Sequence, residues 1–168
     1  MNLAGDQYSI REFLPEETAL YKAMRLEALQ LEAAMFGSNY AREAAFTAEQ
    51  WLERIVNVNS VCLGLFCGRD LIGITGVVID WNNTAMGIMV QSYIQSKYRG
   101  RGLSHLLYDA RLAWARNHGL KSLRVGHKES NQASKAANQR CGFKYTYREP
   151  CTWPDGSKED ILYYDLEL

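Results

Sequence analysis

The 168-residue chain is poor in proline, cysteine and histidine, with three, four and three of each. Pro15, Pro150 and Pro154 all fall outside the middle of any periodic segment, so no helix or strand is expected to be broken internally. Cys62, Cys67, Cys141 and Cys151 contain no C-x-x-C pair, and His105, His118 and His127 lack the spacing of a zinc site, so no metal is expected. No apolar run nears the roughly 18 residues of a membrane span. The first thirty residues, with Arg11, Glu12, Glu16 and Glu17, lack the apolar core of a signal peptide. These absences lead us to expect a cytoplasmic protein that does not engage membranes. A surplus of either charge is also missing: 19 Lys plus Arg balance 19 Asp plus Glu. The global positive field of a general nucleic-acid binder is therefore absent, and no nucleic-acid partner is expected.

What is present is enough for one packed domain, expected to span residues 1–168, since 47% of the residues are hydrophobic. A chain near this length buries roughly 70% of its unfolded surface. Residues 7–13 alternate as a short strand, and Pro15-Glu16-Glu17 starts a helix running to about Leu31. Residues 36–46 read as a loop, and Thr47-x-x-Gln50 is a capping box opening a second helix through Trp51 and Ile55. Three strands follow, at 61–67, 71–80 and 85–94, then a helix marked by Leu103, Leu106, Leu107, Ala110 and Trp114. A fifth strand holds Leu123, Val125 and His127, a helix covers 131–141, and strands at 143–148 and 161–168 close the chain. The fold class is α/β, with the order β-α-α-β-β-β-α-β-α-β-β around one central mixed sheet.

The segment Lys97-Tyr98-Arg99-Gly100-Arg101-Gly102-Leu103-Ser104 follows a strand and opens a helix. A helix start leaves about four N–H groups unpaired and carries roughly half a positive charge. Gly100 and Gly102 permit positive φ and close approach of a ligand, while Lys97, Arg99 and Arg101 add three cations with no carboxylate adjacent in sequence. Such a combination suits a diphosphate. The segment is neither a Walker loop nor the dinucleotide G-x-G-x-x-G, because His105 stands at the third glycine position.

Arg99-x-x-Gly102-x-Ser104 after a strand resembles the R/Q-x-x-G-x-G/A motif of the GNAT superfamily of N-acetyltransferases. A second match follows one strand later: Asn131-Gln132-Ala133-Ser134 and Asn138-Gln139-Arg140-Cys141-Gly142-Phe143 resemble N-x-A-S and Y-x-K-x-G-F. The element order of most of the chain agrees. The resemblance implies a single GNAT-like domain that transfers acetyl from acetyl-CoA to a primary amine of a small molecule or peptide, in a ternary complex. It implies a cofactor cradle on Arg99, Gly100, Arg101, Gly102, Leu103 and Ser104, and an oxyanion donor on the backbone at Tyr93 and Ile94. Asn131, Ser134 and Asn138, at i, i+3 and i+7, are expected to face the pantetheine arm, with Ala133, Ala136 and Ala137 packed toward the sheet.

Two departures stand out. Ser104 replaces Gly or Ala, which keeps the position small. Asn138 replaces the Tyr that the family uses to protonate the departing thiolate; an amide donates a hydrogen bond but no proton. His127 is the candidate base, with Glu129 as the alternative, and Tyr108, Tyr145 and Tyr147 are the candidates for a displaced phenol. In the acceptor region, Arg25 with Phe36, Tyr40 and Trp51 suits a small carboxylate-bearing amine. The rival reading is a non-catalytic acyl-CoA-binding module, favoured by Asn138. The last strand, with Tyr163, Tyr164 and Leu166, is compatible with pairing across a homodimer and equally with burial in a monomer.

Overall fold

In the computed structural model, which describes residues 7–168, seven strands form one sheet in the order β1-β2-β3-β4-β5-β7-β6. Residues 1–6 of the expected domain lie outside the described residues. The strands are β1 (Tyr8–Glu12), β2 (Ser60–Cys67), β3 (Asp70–Asp80), β4 (Asn83–Ile94), β5 (Ser122–Lys128), β6 (Lys144–Glu149) and β7 (Ile161–Glu167). The helices are α1 (Thr18–Leu31), α2 (Tyr40–Ala44), α3 (Ala48–Val56), α4 (Ser104–Asn117) and α5 (Gln132–Arg140). All neighbouring strands run antiparallel except β4 and β5, which are parallel because α4 carries the chain back across the sheet.

β2 reads as a continuous apolar run, and both its faces are covered, as that pattern requires. On one face Tyr21, Met24 and Ala28 of α1 and Trp51 of α3 pack with Phe13, Cys62, Phe66, Ile74 and Tyr93. On the other, Val61, Leu63, Val77, Met89 and Leu123 meet Tyr108, Trp114 and Ala115 of α4. α3 opens on its capping box: Gln50 N–H donates to Thr47 Oγ1 (3.2 Å) and Thr47 N–H to Gln50 Oε1 (2.8 Å).

Two expectations change, for residues 36–46 and for α5, and a third, open one concerns the last strand. Residues 36–46 are not all loop, since α2 forms there, capped by Arg42 N–H donating to Asn39 Oδ1 at 2.8 Å. Five residues are too few for a periodic signal, and the helix is held from outside by contacts of Glu43. β7 is paired on both sides, by β5 and β6, so the last strand is not a free edge. In α5 only Ala137 packs on the core; Ala133 and Ala136 are exposed. No helix among the described residues is long and apolar enough to cross a membrane.

Candidate active site

β4 and β5 pair only at Met86–Ser122, Gly87–Leu123 and Ile88–Arg124 and then diverge, although β4 continues to Ile94 and β5 to Lys128. The cause lies in β4, where Gln91 and Ser92 together oppose Thr75 and Gln91 takes a positive φ of 52°. This bulge bends the strand away from its neighbour, and a non-glycine residue holds that φ only when fixed from outside. Tyr21 O–H donates to Gln91 Oε1 (2.6 Å), and Gln91 Nε2 donates to Cys62 Sγ (3.3 Å). Beyond the bulge, Gln95 N–H donates to Ile72 O, so by alternation the Ile94 N–H faces the opening rather than β3. The Tyr93 side chain turns the other way, its O–H donating to Glu27 Oε2 at 2.9 Å; burial and this carboxylate push the phenol up to about 12.

A cleft of about 1210 Å³ runs through this opening, from Arg99 and Ser104 at one end to Arg25 and Arg54 at the other. At the first end, Gly100 and Gly102 have φ of 75° and 74°, and a Cβ at either would meet nothing within 4 Å. Among the described residues no protein acceptor meets the N–H of Gly100, Gly102, Leu103 or Ser104. The glycines thus supply conformation, and with these amides unpaired among the described residues the turn fits a diphosphate. The cations are less free than the local sequence suggests. Arg99 Nη1 pairs with Glu32 at 2.8 Å and its Nε donates to Ile94 O at 2.8 Å, while Arg101 Nη1 donates to Tyr8 O–H at 3.0 Å.

His127, 6% exposed, lines the cleft from β5 with its ring stacked on Tyr164. Its Nδ1 lies 2.7 Å from Lys128 O, which only accepts, so a neutral ring carries its proton there and leaves a lone pair on Nε2. That Nε2 is buried without a partner. Glu129 instead points out to Arg148, at 2.6 Å. Asn131 caps α5, accepting from Ser134 N–H (3.1 Å), and both line the cleft. Asn138 is buried, its Oδ1 accepting from Tyr108 O–H at 2.5 Å and its Nδ2 unpartnered. Of the three phenols, Tyr108 lines the cleft, whereas Tyr145 and Tyr147 pack on Tyr164 and Tyr163.

The opposite wall is a polar network that spacing did not reveal. Glu43 accepts from Arg25 Nε (2.9 Å) and Nη2 (2.8 Å) and from Arg54 Nη1 (2.8 Å). Arg25 Nη1 is buried with no partner, and the guanidinium lies 5.0 Å from the Phe36 ring centroid. Burial alone would raise the Glu43 carboxyl, but Arg25 above all, with smaller contributions from Ser38 and Arg54, brings it down to about 2. Sequence reading also passed over Arg111, which lines the cleft 2% exposed. Its position on the apolar stripe of α4 was the available signal, because a charged residue there is costly without a purpose.

A family model described as "Acetyltransferase (GNAT) family" matches residues 25–143. Streptothricin acetyltransferase of Escherichia coli is 26% identical over 112 residues, 63% of this chain. The match spans 62% of that relative's own length, less than two thirds. Among solved structures, a GNAT-family acetyltransferase from Streptococcus pneumoniae superimposes with a TM-score of 0.82 at 21% identity, covering 96% of this chain and 100% of that one. The yncA protein of Salmonella typhimurium, solved with its cofactor acetyl-CoA, gives 0.80 at 18% identity, covering 96% and 94%. Ribosomal-protein-alanine N-acetyltransferase of Brucella melitensis gives 0.79 at 20%, covering 95% and 99%. At these identities the structures share the fold.

Proposed function

The chain belongs to the GNAT acetyltransferase family, and from that premise we propose that it transfers an acetyl group from acetyl-CoA to a primary amine of a small molecule or peptide in a ternary complex. The observation that carries this reading is the row of unpaired amides at Gly100, Gly102, Leu103 and Ser104, opening beside the divergence of β4 and β5. Acetyl-CoA supplies a thioester whose acyl group is activated for attack by nitrogen.

The chain's own residues divide the remaining work. The amides of residues 100–104, with the α4 dipole, hold the diphosphate, and Asn131 and Ser134 border the arm that leads inward. The Ile94 N–H serves as the oxyanion donor, a role worth about 3 kcal/mol when the donor is fixed in advance. It is fixed here by the β3 ladder and by Arg99, which holds the carbonyl of the same residue. A protonated alkyl amine must lose a proton before it attacks, and His127 Nε2 is the lone pair available for it. Asn138 Nδ2 donates a hydrogen bond at the sulfur end. The acceptor wall sets two guanidinium groups against one carboxylate, with Arg25 Nη1 unmatched, which suits an amine that also bears a carboxylate.

The test is thiol release from acetyl-CoA against a panel of amines, alongside calorimetry with coenzyme A. Binding with release for at least one amine supports the transferase. Tight binding without release for any amine favours the non-catalytic acyl-CoA-binding module, the alternative that Asn138 raises. Absence of binding removes both.

A further inference from the structure

Among the described residues, Arg111 is a buried cation without a counter-ion. Its Nε donates to Leu107 O (3.0 Å), its Nη1 to Ser92 Oγ (2.8 Å), and its guanidinium lies over the Tyr108 ring at 4.7 Å. No carboxylate pairs with it among the described residues, and its Nη2 has no protein partner there. The titratable groups facing it are Tyr108 of its own helix and Cys141 after α5, neither of them an anion at neutral pH. Arg140 and Asp109 act on the same neighbours from further out. Burial draws the guanidinium down to about 10, so it stays charged at neutral pH. An apolar side chain of similar volume would suit this position better unless an anion visits it.

The place of Arg111 selects which anion. It sits seven residues beyond Ser104, roughly 10 Å along α4 from the amides that fit a diphosphate. It is tied to Ser92 in the part of β4 that has left β5. Across the cleft, Tyr108 O–H donates to Asn138 Oδ1 and so fixes the amide with Nδ2 as an unmatched donor. Three polar groups therefore gather where the acyl-bearing end of the cofactor is aimed, and none of them is an acid suited to giving up a proton near neutral pH.

We propose that Arg111 and Asn138 form a seat for the leaving sulfur as an anion, with Tyr108 as the positioning residue that orients Asn138. This rests on the acetyl-transfer reading. In the step, the amine nitrogen forms a bond to the carbonyl carbon and the carbon–sulfur bond breaks with its electron pair left on sulfur. The amine proton goes to His127 or to water. A thiolate, not a thiol, is thus released, and Arg111 supplies the charge that compensates it. Asn138 then needs only to donate a hydrogen bond.

The test reads the sulfur directly. Ultraviolet thiolate absorbance is titrated for bound coenzyme A, as a difference against desulfo-coenzyme A, in the wild type, Arg111→Met and Arg111→Lys. We expect the bound thiol of the wild type to ionise at least about one pH unit below that of free coenzyme A titrated alongside, a tenfold gain. In Arg111→Met that gain is lost, and in Arg111→Lys part of it remains. Coenzyme A that binds with a thiol no more acidic than free, or equally acidic in wild type and Arg111→Met, overturns the seat and leaves the acetyl-transfer reading standing. Failure of coenzyme A to bind the wild type overturns both. Should Arg111→Met not fold, Arg111→Lys against wild type decides, a purely structural arginine giving identical titrations.

Discussion

Arg25 grips Glu43 through both carboxylate oxygens, at 2.9 and 2.8 Å, across a contact almost closed to solvent, with Glu43 1% and Arg25 7% exposed. Arg54 completes the group at 2.8 Å, so one short helix, α2, is pinned between α1 and α3 by a single carboxylate. Removing one partner of a buried pair leaves the other charge uncompensated, which costs about 3–5 kcal/mol. Glu43→Gln is expected to lower the unfolding free energy by that amount in urea titration, while Arg11→Gln, at a half-exposed pair, changes it by less than about 1 kcal/mol.

The same carboxylate sets an acid limit. Its folded-state value is about 2, below the ~4.3 of an unfolded glutamate, so its contribution is present above pH ~4.3 and is lost as pH falls toward 2. The expected result is a drop in melting temperature between pH 5 and 2 for the wild type. In Glu43→Gln that part of the drop should be absent.

Gly102 holds a φ of 74° in open space. Gly102→Val therefore meets no clash in the fold but forces a β-branched residue into the left-handed region, at about 1–2 kcal/mol. Coenzyme A affinity measured by calorimetry should fall at least tenfold as the amides turn away. Unchanged affinity would remove the cradle from the site.

His127→Ala is expected to reduce kcat at least fivefold with coenzyme A affinity unchanged, because His127 lines the cleft from β5, a different element from the turn that carries the amides of residues 100–104. Equal turnover with an accepted amine would leave proton removal to water.

Thr47→Ala provides a contrast remote from the cradle. Losing the Oγ1 acceptor of Gln50 N–H at the start of α3 should cost about 1 kcal/mol and leave coenzyme A affinity as it was. A change in affinity would mean that the two walls of the cleft are coupled.

Much of the architecture was readable along the chain because its signals are local. Alternation marked β1, the Thr47–Gln50 box marked α3, and the glycine–arginine segment marked the turn that leads into α4. Other features depend on residues far apart. Arg99 reads as a free cation until Glu32 is brought to it, 67 positions earlier in the chain, at 2.8 Å. Tyr108 could not be chosen over Tyr145 and Tyr147 until α4 and α5 were placed side by side.

The sequence alone determined the order of elements, the family resemblance and the glycine-rich turn that opens α4, since glycine freedom and helix-end amides depend only on near neighbours. Tertiary structure decided how far β4 departs from β5, which histidine nitrogen keeps its lone pair, and that Arg111 is buried with no opposing charge among the described residues. Electrostatic partnership and burial are set by distance in space, and a linear pattern does not encode that distance.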